Sequence, residues 1–133
     1  MNLSDLEKGY LAGFIDGEGS LIINKRNHVG HKGKRYTGYS AYIDIGNTNL
    51  EVLEWIKQRV NLKAKIYKNQ GKGNRKLAYR IRIGWRLSCE LIKTLQPLLV
   101  VKREIANVFL EYENNPDKEN VWQRAKLLNK RGL

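Results

Sequence analysis

The sequence predicts an α+β fold, with an αββαββα core, a four-stranded antiparallel sheet carrying its helices on one face, and further helices at the C-terminal end. Three observations predict it. Capping-box patterns occur twice, at Ser4/Glu7 and Thr48/Glu51, each opening an apolar helical run. Each helical run is followed by two runs of alternating apolar and polar residues joined by a glycine-containing basic loop. The length of 133 residues suits one domain, spanning 1–133, built around one core.

The elements follow in order. A first helix is expected from about Asp5 to Gly17, where Gly17 and Gly19 end it. "SLIINKR" and "YSAYIDIG" read as paired strands, with Gly30, Gly33 and Gly38 in the loop between them. Leu50, Leu53, Ile56 and Val60 repeat at helical spacing. "AKIYKN" and "LAYRIRIG" form a second expected hairpin around the loop "QGKGNRK". A third helix is expected over about Ser88–Leu95, ending at Pro97, and a fourth over about Val101–Glu113. "NPD" at 115–117 breaks the chain before a last helix that runs to about Lys130. Trp55, Trp85 and Trp122 read as core or partly buried anchors.

Strand alternation assigns faces. Leu21, Ile23, Ala41, Ile43, Ile45, Ile66, Tyr79, Ile81 and Ile83 point to the core. The uncovered face then carries Asn24, Arg26, Tyr42, Asp44, Lys65, Tyr67, Asn69, Arg80 and Arg82, a mixture of donors and acceptors suited to base edges. Charge points the same way. Lys and Arg number 25 against 13 Asp and Glu, a formal net charge of +12. No acid occurs from Gly19 to Ile43, nor from Trp55 to Cys89, and the second stretch holds 11 Lys and Arg. A polyanion, and first of all nucleic acid, is the expected partner. His28 and His31 stand in a basic loop with no Cys or acid beside them, which suits phosphate contact or solvent better than a metal. The single Cys89 permits no internal disulfide, so an intracellular, reducing compartment is expected: cytoplasm, nucleoid or organelle interior. No apolar run is long enough to cross a bilayer, and no membrane partner is expected.

The junction "LAGFIDGEGS", residues 11–20, is chemically unusual. Gly9, Gly13 and Gly17, four apart, form a smooth helical stripe with Ala12 beside it, which suits close packing either against the chain's own core or against the same helix of a second copy. Helical angles place Asp16 on the side of Gly9 and Glu18 opposite. Two acids at a helix C-terminus face the negative end of its dipole and require compensation, by a Lys or Arg or by a divalent cation.

"LAGFIDGEG", Leu11 to Gly19, resembles the signature of the LAGLIDADG homing endonucleases, with Gly17 where Ala is common and Glu18 where Asp is common. Small stays small, and carboxylate stays carboxylate. The order of elements agrees over nearly the whole chain, and "LQPLLVVKREIANVFLE" resembles a late segment of that family. The resemblance implies a homodimer, since one signature is present, with the signature helices packed at a two-fold axis through Gly9, Ala12, Gly13 and Asp16. It implies a saddle of two sheets over double-stranded DNA, with Asn24, Arg26, His28, Tyr42, Asp44, Lys65, Tyr67, Asn69, Arg80 and Arg82 facing the duplex. It implies Mg²⁺ or Mn²⁺ held by Glu18 with the Gly17 carbonyl, and Lys102 in "VVKRE" beside the scissile phosphate. A polar residue at the end of the second strand, Gly46 or Asn47, would complete the pocket, with Asn47 as the choice. The implied reaction is phosphodiester hydrolysis at a long, nearly palindromic, intron-associated target, breaking both strands and leaving short 3′ overhangs. Two alternatives share the fold: an RNA maturase that assists splicing of intron RNA, and a non-catalytic DNA-binding protein. Retention of Glu18 and Lys102 argues for cleavage.

Overall fold

The computed structural model describes residues 1–60, 63–70, 72–73 and 76–130. Helix α1 spans Asp5–Glu18, strand β1 Gly19–Val29, β2 Arg35–Asn47, helix α2 Leu50–Val60, β3 Ile66–Asn69 and β4 Ala78–Ile83. Helices α3 (Trp85–Leu95), α4 (Arg103–Leu110) and α5 (Lys118–Lys130) follow. The sheet is antiparallel throughout, in the order β1-β2-β4-β3, so each hairpin keeps its own strands together and β2 and β4 join them at the centre.

The expected α+β architecture is present. Leu21, Ile23, Ala41, Ile43, Ile45, Ile81 and Ile83 are buried, and so are Leu11, Ile15, Leu53, Ile56, Leu91, Ile92, Leu95, Ile105 and Phe109 from the helices laid over them. The three tryptophans are partly buried against this core. Burial of this apolar surface drives the packing of helices onto one sheet face.

Several expected boundaries shift, each for a local reason. The Ser4 box forms: Ser4 Oγ accepts from the Glu7 N–H at 3.1 Å, and Glu7 Oε1 accepts from the Ser4 N–H at 2.9 Å. The Thr48 box does not. Asn49 instead caps α2, its Oδ1 accepting from the Val52 N–H at 3.1 Å, because a short amide reaches the third N–H as well as a hydroxyl does. Strands β1 and β2 run past the expected ends. Asn27, His28 and Val29 pair with Thr37, Tyr36 and Arg35, which moves Gly38 out of the loop and into β2. The reversal is confined to Gly30–Lys34, where Lys32 and Gly33 adopt φ of 61° and 73°. At Gly33 a side chain would be strained.

Helix α3 begins at Trp85, not Ser88. Ser88 lies inside the helix and fully buried, donating to the Ile83 carbonyl at 2.6 Å and accepting from the Ile43 N–H at 3.1 Å. Pro97 falls in a short 3₁₀ turn, Gln96–Leu98, after α3. Helix α4 is shorter than expected at both ends. Of the basic loop expected at 70–76, Gly71, Asn74 and Arg75 lie outside the described residues.

Helix α5 braces the first hairpin from beneath. Asn129 Nδ2 donates to the Leu21 carbonyl at 3.0 Å, and Lys25 Nζ lies 3.0 Å from the Glu119 carboxylate. The Tyr39 hydroxyl donates to the same carboxylate, and the Tyr112 hydroxyl donates to the Tyr39 carbonyl at 2.8 Å. The long β1–β2 arm is therefore tied at its middle to the C-terminal helix.

Candidate nucleic-acid interface and catalytic cleft

Helix α1 sets the site, because its last turn places two carboxylates in different surroundings. Asp16 Oδ2 accepts from the Val100 N–H at 2.7 Å and Oδ1 from the Lys102 N–H at 3.0 Å. Lys102 Nζ donates to the Asp16 carbonyl at 2.9 Å, satisfying one of the helix-end carbonyls. The negative end of α1 is thus compensated at Asp16 by two peptide N–H groups and one ammonium. Asp16 is expected at a helix–helix interface between copies; within one chain its carboxylate bonds to the Val100 and Lys102 N–H groups and ties α1 to the segment before α4.

Glu18, the last residue of α1, is exposed and makes no hydrogen bond or ion pair to any described residue. In a chain with an excess of 12 positive charges, that is a carboxylate left available. It lines a cleft of about 400 Å³ together with Gly46, Asn47, Thr48, Asn69, Ala78, Tyr79 and Arg80. The cleft opens where β1 begins, β2 ends and β4 begins, so the register of three strands builds it. Asn47, expected from the end of the second strand, is in this cleft. Its Oδ1 accepts from the Asn49 N–H at 2.8 Å, which leaves the amide NH₂ to face outward ligands. Lys102 is not among the cleft's lining residues; it stands at the same turn of α1, held at Asp16. Thr48 and Arg80 belong to the cleft as well, and only the three-strand register could have shown it.

Among the described residues no cluster of three His, Cys, Asp or Glu side chains could by itself hold a metal. At this end of α1 one chain offers one unpaired carboxylate, Glu18, beside carbonyls of the last turn that lie beyond the intrahelical ladder. These are hard oxygen donors of the kind Mg²⁺ or Mn²⁺ accepts, in a number that suits an ion shared with phosphate oxygens and water. The donor set fits such an ion.

On the open sheet face, Asn24 and Arg26 on β1, Tyr42 on β2, Tyr67 and Asn69 on β3 and Arg80 and Arg82 on β4 stand as alternation placed them. Lys65 precedes β3 rather than lying within it, its ammonium 5.9 Å from the Tyr67 ring. His28 is a strand residue near the hairpin tip, packed against the Tyr36 ring with centroids 5.3 Å apart. Asp44 departs from expectation. It lies on the open face but is only 8 % exposed, covered by Arg80 and Arg82. Two guanidiniums attract the carboxylate and shield it from water, so it offers little to an outside ligand.

The glycine stripe of α1 is open. A Cβ built on Gly9, Gly13 or Gly17 meets nothing within 4 Å. The same face carries Leu6, 88 % exposed, and Tyr10, and the Asp16 bonds hold Val100, 72 % exposed, beside it with Val101. Ala12 does not share this face: it is 2 % exposed and packed in the chain's own core with Leu11 and Ile15. It stands one residue off the stripe, which turns it about 100° away.

A sequence profile described as LAGLIDADG endonuclease matches residues 11–102. No curated protein matches the chain. Among solved structures, the chain is similar to the archaeal intron-encoded homing endonuclease I-Vdi141I complexed with DNA, with 26 % identity and a TM-score of 0.70 over 95 % of this chain and 84 % of that one. It shares its fold with the group I intron-encoded homing endonuclease I-CeuI complexed with DNA, at 21 % identity and a TM-score of 0.67, over 94 % and 68 % of the two chains. It also shares its fold with the homing endonuclease I-CvuI in complex with its target in the presence of Ca, at 20 % identity and a TM-score of 0.66, over 95 % and 79 %.

Proposed function

We propose that this chain, which belongs to the LAGLIDADG endonuclease family, is a homing endonuclease that cuts both strands of a specific, nearly palindromic DNA as a homodimer, by divalent-metal-dependent hydrolysis. The observation that carries the reading is the contrast within one helix turn: Asp16 is fully bonded within the chain, and Glu18 is unpaired at the mouth of a cleft.

Two copies placed with their glycine stripes in contact would bury Leu6, the exposed part of Tyr10 and the open backbone of Gly9, Gly13 and Gly17. Such a contact is two-fold symmetric, so it sets two equal sheets side by side and brings the two Glu18 residues toward the axis. Each sheet then reads an equivalent stretch of duplex, which is why the target should be an inverted repeat. Neutralisation of phosphates by the basic face supplies affinity, and the side chains of the open face supply sequence preference.

Glu18 and the Gly17 carbonyl would hold Mg²⁺ or Mn²⁺, and that ion would supply a water of lowered pKa and charge compensation at the phosphate. The chain's own groups do the rest. Lys102, fixed to Asp16 by two hydrogen bonds, one from its N–H and one from its ammonium, presents a positive charge at the same helix turn, where it would offset charge that develops on the phosphate oxygens. Asn47 orients a water or phosphate oxygen through its free NH₂. No described helix is long and apolar enough to cross a membrane. We place the protein in a reducing compartment that holds DNA, with Cys89 a buried free thiol in a single domain.

The test uses the DNA obtained by joining the sequences on either side of the element that carries the gene. With Mg²⁺, the parent protein should break both strands at one position, with no cutting in EDTA, and Glu18→Gln should bind and not cut. Metal-independent cutting, or undiminished cutting by Glu18→Gln, would refute the proposal. Tight binding of the element's RNA with no DNA scission would replace it with the maturase reading.

A further inference from the structure

The cluster of Asp44, Arg80 and Arg82 is not a set of three independent DNA contacts. Antiparallel register sets Arg82 directly across from Asp44, and Arg80 across from Gly46, so both arginines rise on the same face of β4 beside one carboxylate of β2. Arg80 Nε lies 3.2 Å from Asp44 Oδ1, and Arg82 Nη2 lies 3.7 Å from Oδ2. The Arg82 guanidinium also lies 4.0 Å over the Tyr42 ring. The Asp44 side chain is 9 % exposed, whereas those of Arg80 and Arg82 are 57 % and 50 % exposed. The carboxylate is below and the guanidiniums are above, in solvent.

An exposed ion pair with water on all sides holds little, because the long side chains sample many rotamers. Here the anion is withdrawn from water, which strengthens its charge attraction for both cations; the pairing is electrostatic, and among the described residues Asp44 Oδ1 has no aligned hydrogen-bond donor. One buried acid with two arginines leaves a net positive cluster whose outward N–H edges are unspent. Arginine presenting two N–H groups matches the O6 and N7 acceptors of guanine in the major groove, and the match demands a fixed guanidinium plane. Holding that plane before DNA arrives removes part of the ordering cost of binding. Arg80 also lines the Glu18 cleft, so the bases it meets lie near the cut rather than at the outer end of the site.

We infer that Asp44 is a positioning residue that fixes Arg80 and Arg82 for guanine recognition in the inner part of each half-site. The inference rests on the proposed reading, with DNA as the partner and the Glu18 cleft marking the inner end of each half-site.

The experiment is selection of bound duplexes from a randomised library in Ca²⁺, with parent, Asp44→Asn, Arg82→Lys and the double variant. The parent should prefer guanine about tenfold or more at one or two inner positions of each half-site. Asp44→Asn, which keeps shape and removes charge, should reduce that preference to about threefold or less at those positions and leave the outer positions unchanged. Its affinity for non-specific DNA should hold or rise, because a negative charge is lost. Arg82→Lys, which keeps charge and loses the planar fork, should lose the preference at one position. The double variant should lose no more at that position than either single change, since both act through the same contact. A merely structural Asp44 would lower the melting temperature and leave the base preference intact, which overturns the inference. Retained guanine preference in Asp44→Asn, or no guanine preference in the parent, also overturns it while leaving DNA binding standing. Failure to select any duplex would remove the functional reading itself.

Discussion

Replacing Asp16 by alanine removes a strut whose ends are 84 and 86 residues apart in sequence: the carboxylate that holds the Val100 and Lys102 N–H groups at 2.7 and 3.0 Å. A hydrogen bond to a charged group contributes about 1.5–3 kcal/mol. The Val100 bond is exposed and the Lys102 bond is only partly buried, so the low end applies to each, a loss of about 3 kcal/mol for the two. Two effects oppose it. Removing a negative charge from a helix C-terminus returns about 0.5 kcal/mol, and alanine's better helix propensity returns about 0.5 more. The net loss is about 2 kcal/mol. For a chain of this size, that lowers the melting midpoint by about 6–10 °C. Asp16→Asn keeps one acceptor and should lose about half as much. Thermal unfolding followed by circular dichroism reads both. Cleavage by Asp16→Ala, measured well below its midpoint, should also fall, because the backbone that places Lys102 is released. A melting midpoint within about 2 °C of the parent would refute the strut and return Asp16 to a contact between copies.

Other outcomes follow from the same structure. Gly13→Leu meets open space in one chain and improves helix propensity by up to about 1 kcal/mol, so the variant should stay folded while sedimentation shows loss of the dimer and cutting stops; a dimer of parent mass would contradict the glycine contact. Ser88→Ala strands the buried Ile43 N–H and should cost about 1–3 kcal/mol in denaturant unfolding. Hydrogen bonding to Glu119 pushes Tyr39 up to about 12 from its ordinary 10.0. The folded state therefore gains stability below pH 10 that disappears as pH rises from 10 to about 12, and the stability gap between parent and Tyr39→Phe should close across that window. Glu119 is held below its ordinary 4.5, chiefly by the Tyr39 hydroxyl. Its contribution is complete above that value and is lost as pH falls beneath it, so Glu119→Gln should flatten the acid limb of stability against pH.

What could be read from the residues was whatever depends on local period and short spacing. Alternation placed Leu21, Ile23, Ile43, Ile45, Ile81 and Ile83 in the core and Arg80 and Arg82 outside, because one buried face makes strand register strict. The Ser4 cap and the Asp16/Glu18 pair stood out through residue types that suit few other purposes. What escaped depends on contacts between distant segments. Strand ends at Val29 and Arg35 follow from cross-strand pairing in a region of basic and polar residues, where period is faint. Ala12 groups with the glycines by size, but its direction is set by the core beneath Leu11 and Ile15. The burial of Asp44 comes from two arginines nearly 40 residues later, and the bonds of Asp16 from a segment more than 80 residues later. Neither leaves a local mark. The bracing of the first hairpin by Glu119, Asn129 and Tyr112 is likewise invisible until the C-terminal helix is docked.

In the proposed complex, two copies share one duplex through their first helices, each contributing Glu18. Its most direct test is the mass, by analytical ultracentrifugation in Ca²⁺, of the complex between Glu18→Gln protein and the DNA that the parent cuts. The expected result is two chains per duplex, with binding equal to the parent's and no cleavage when Mg²⁺ is added. One chain per duplex, or a two-chain complex of Glu18→Gln that still cuts both strands, would contradict it.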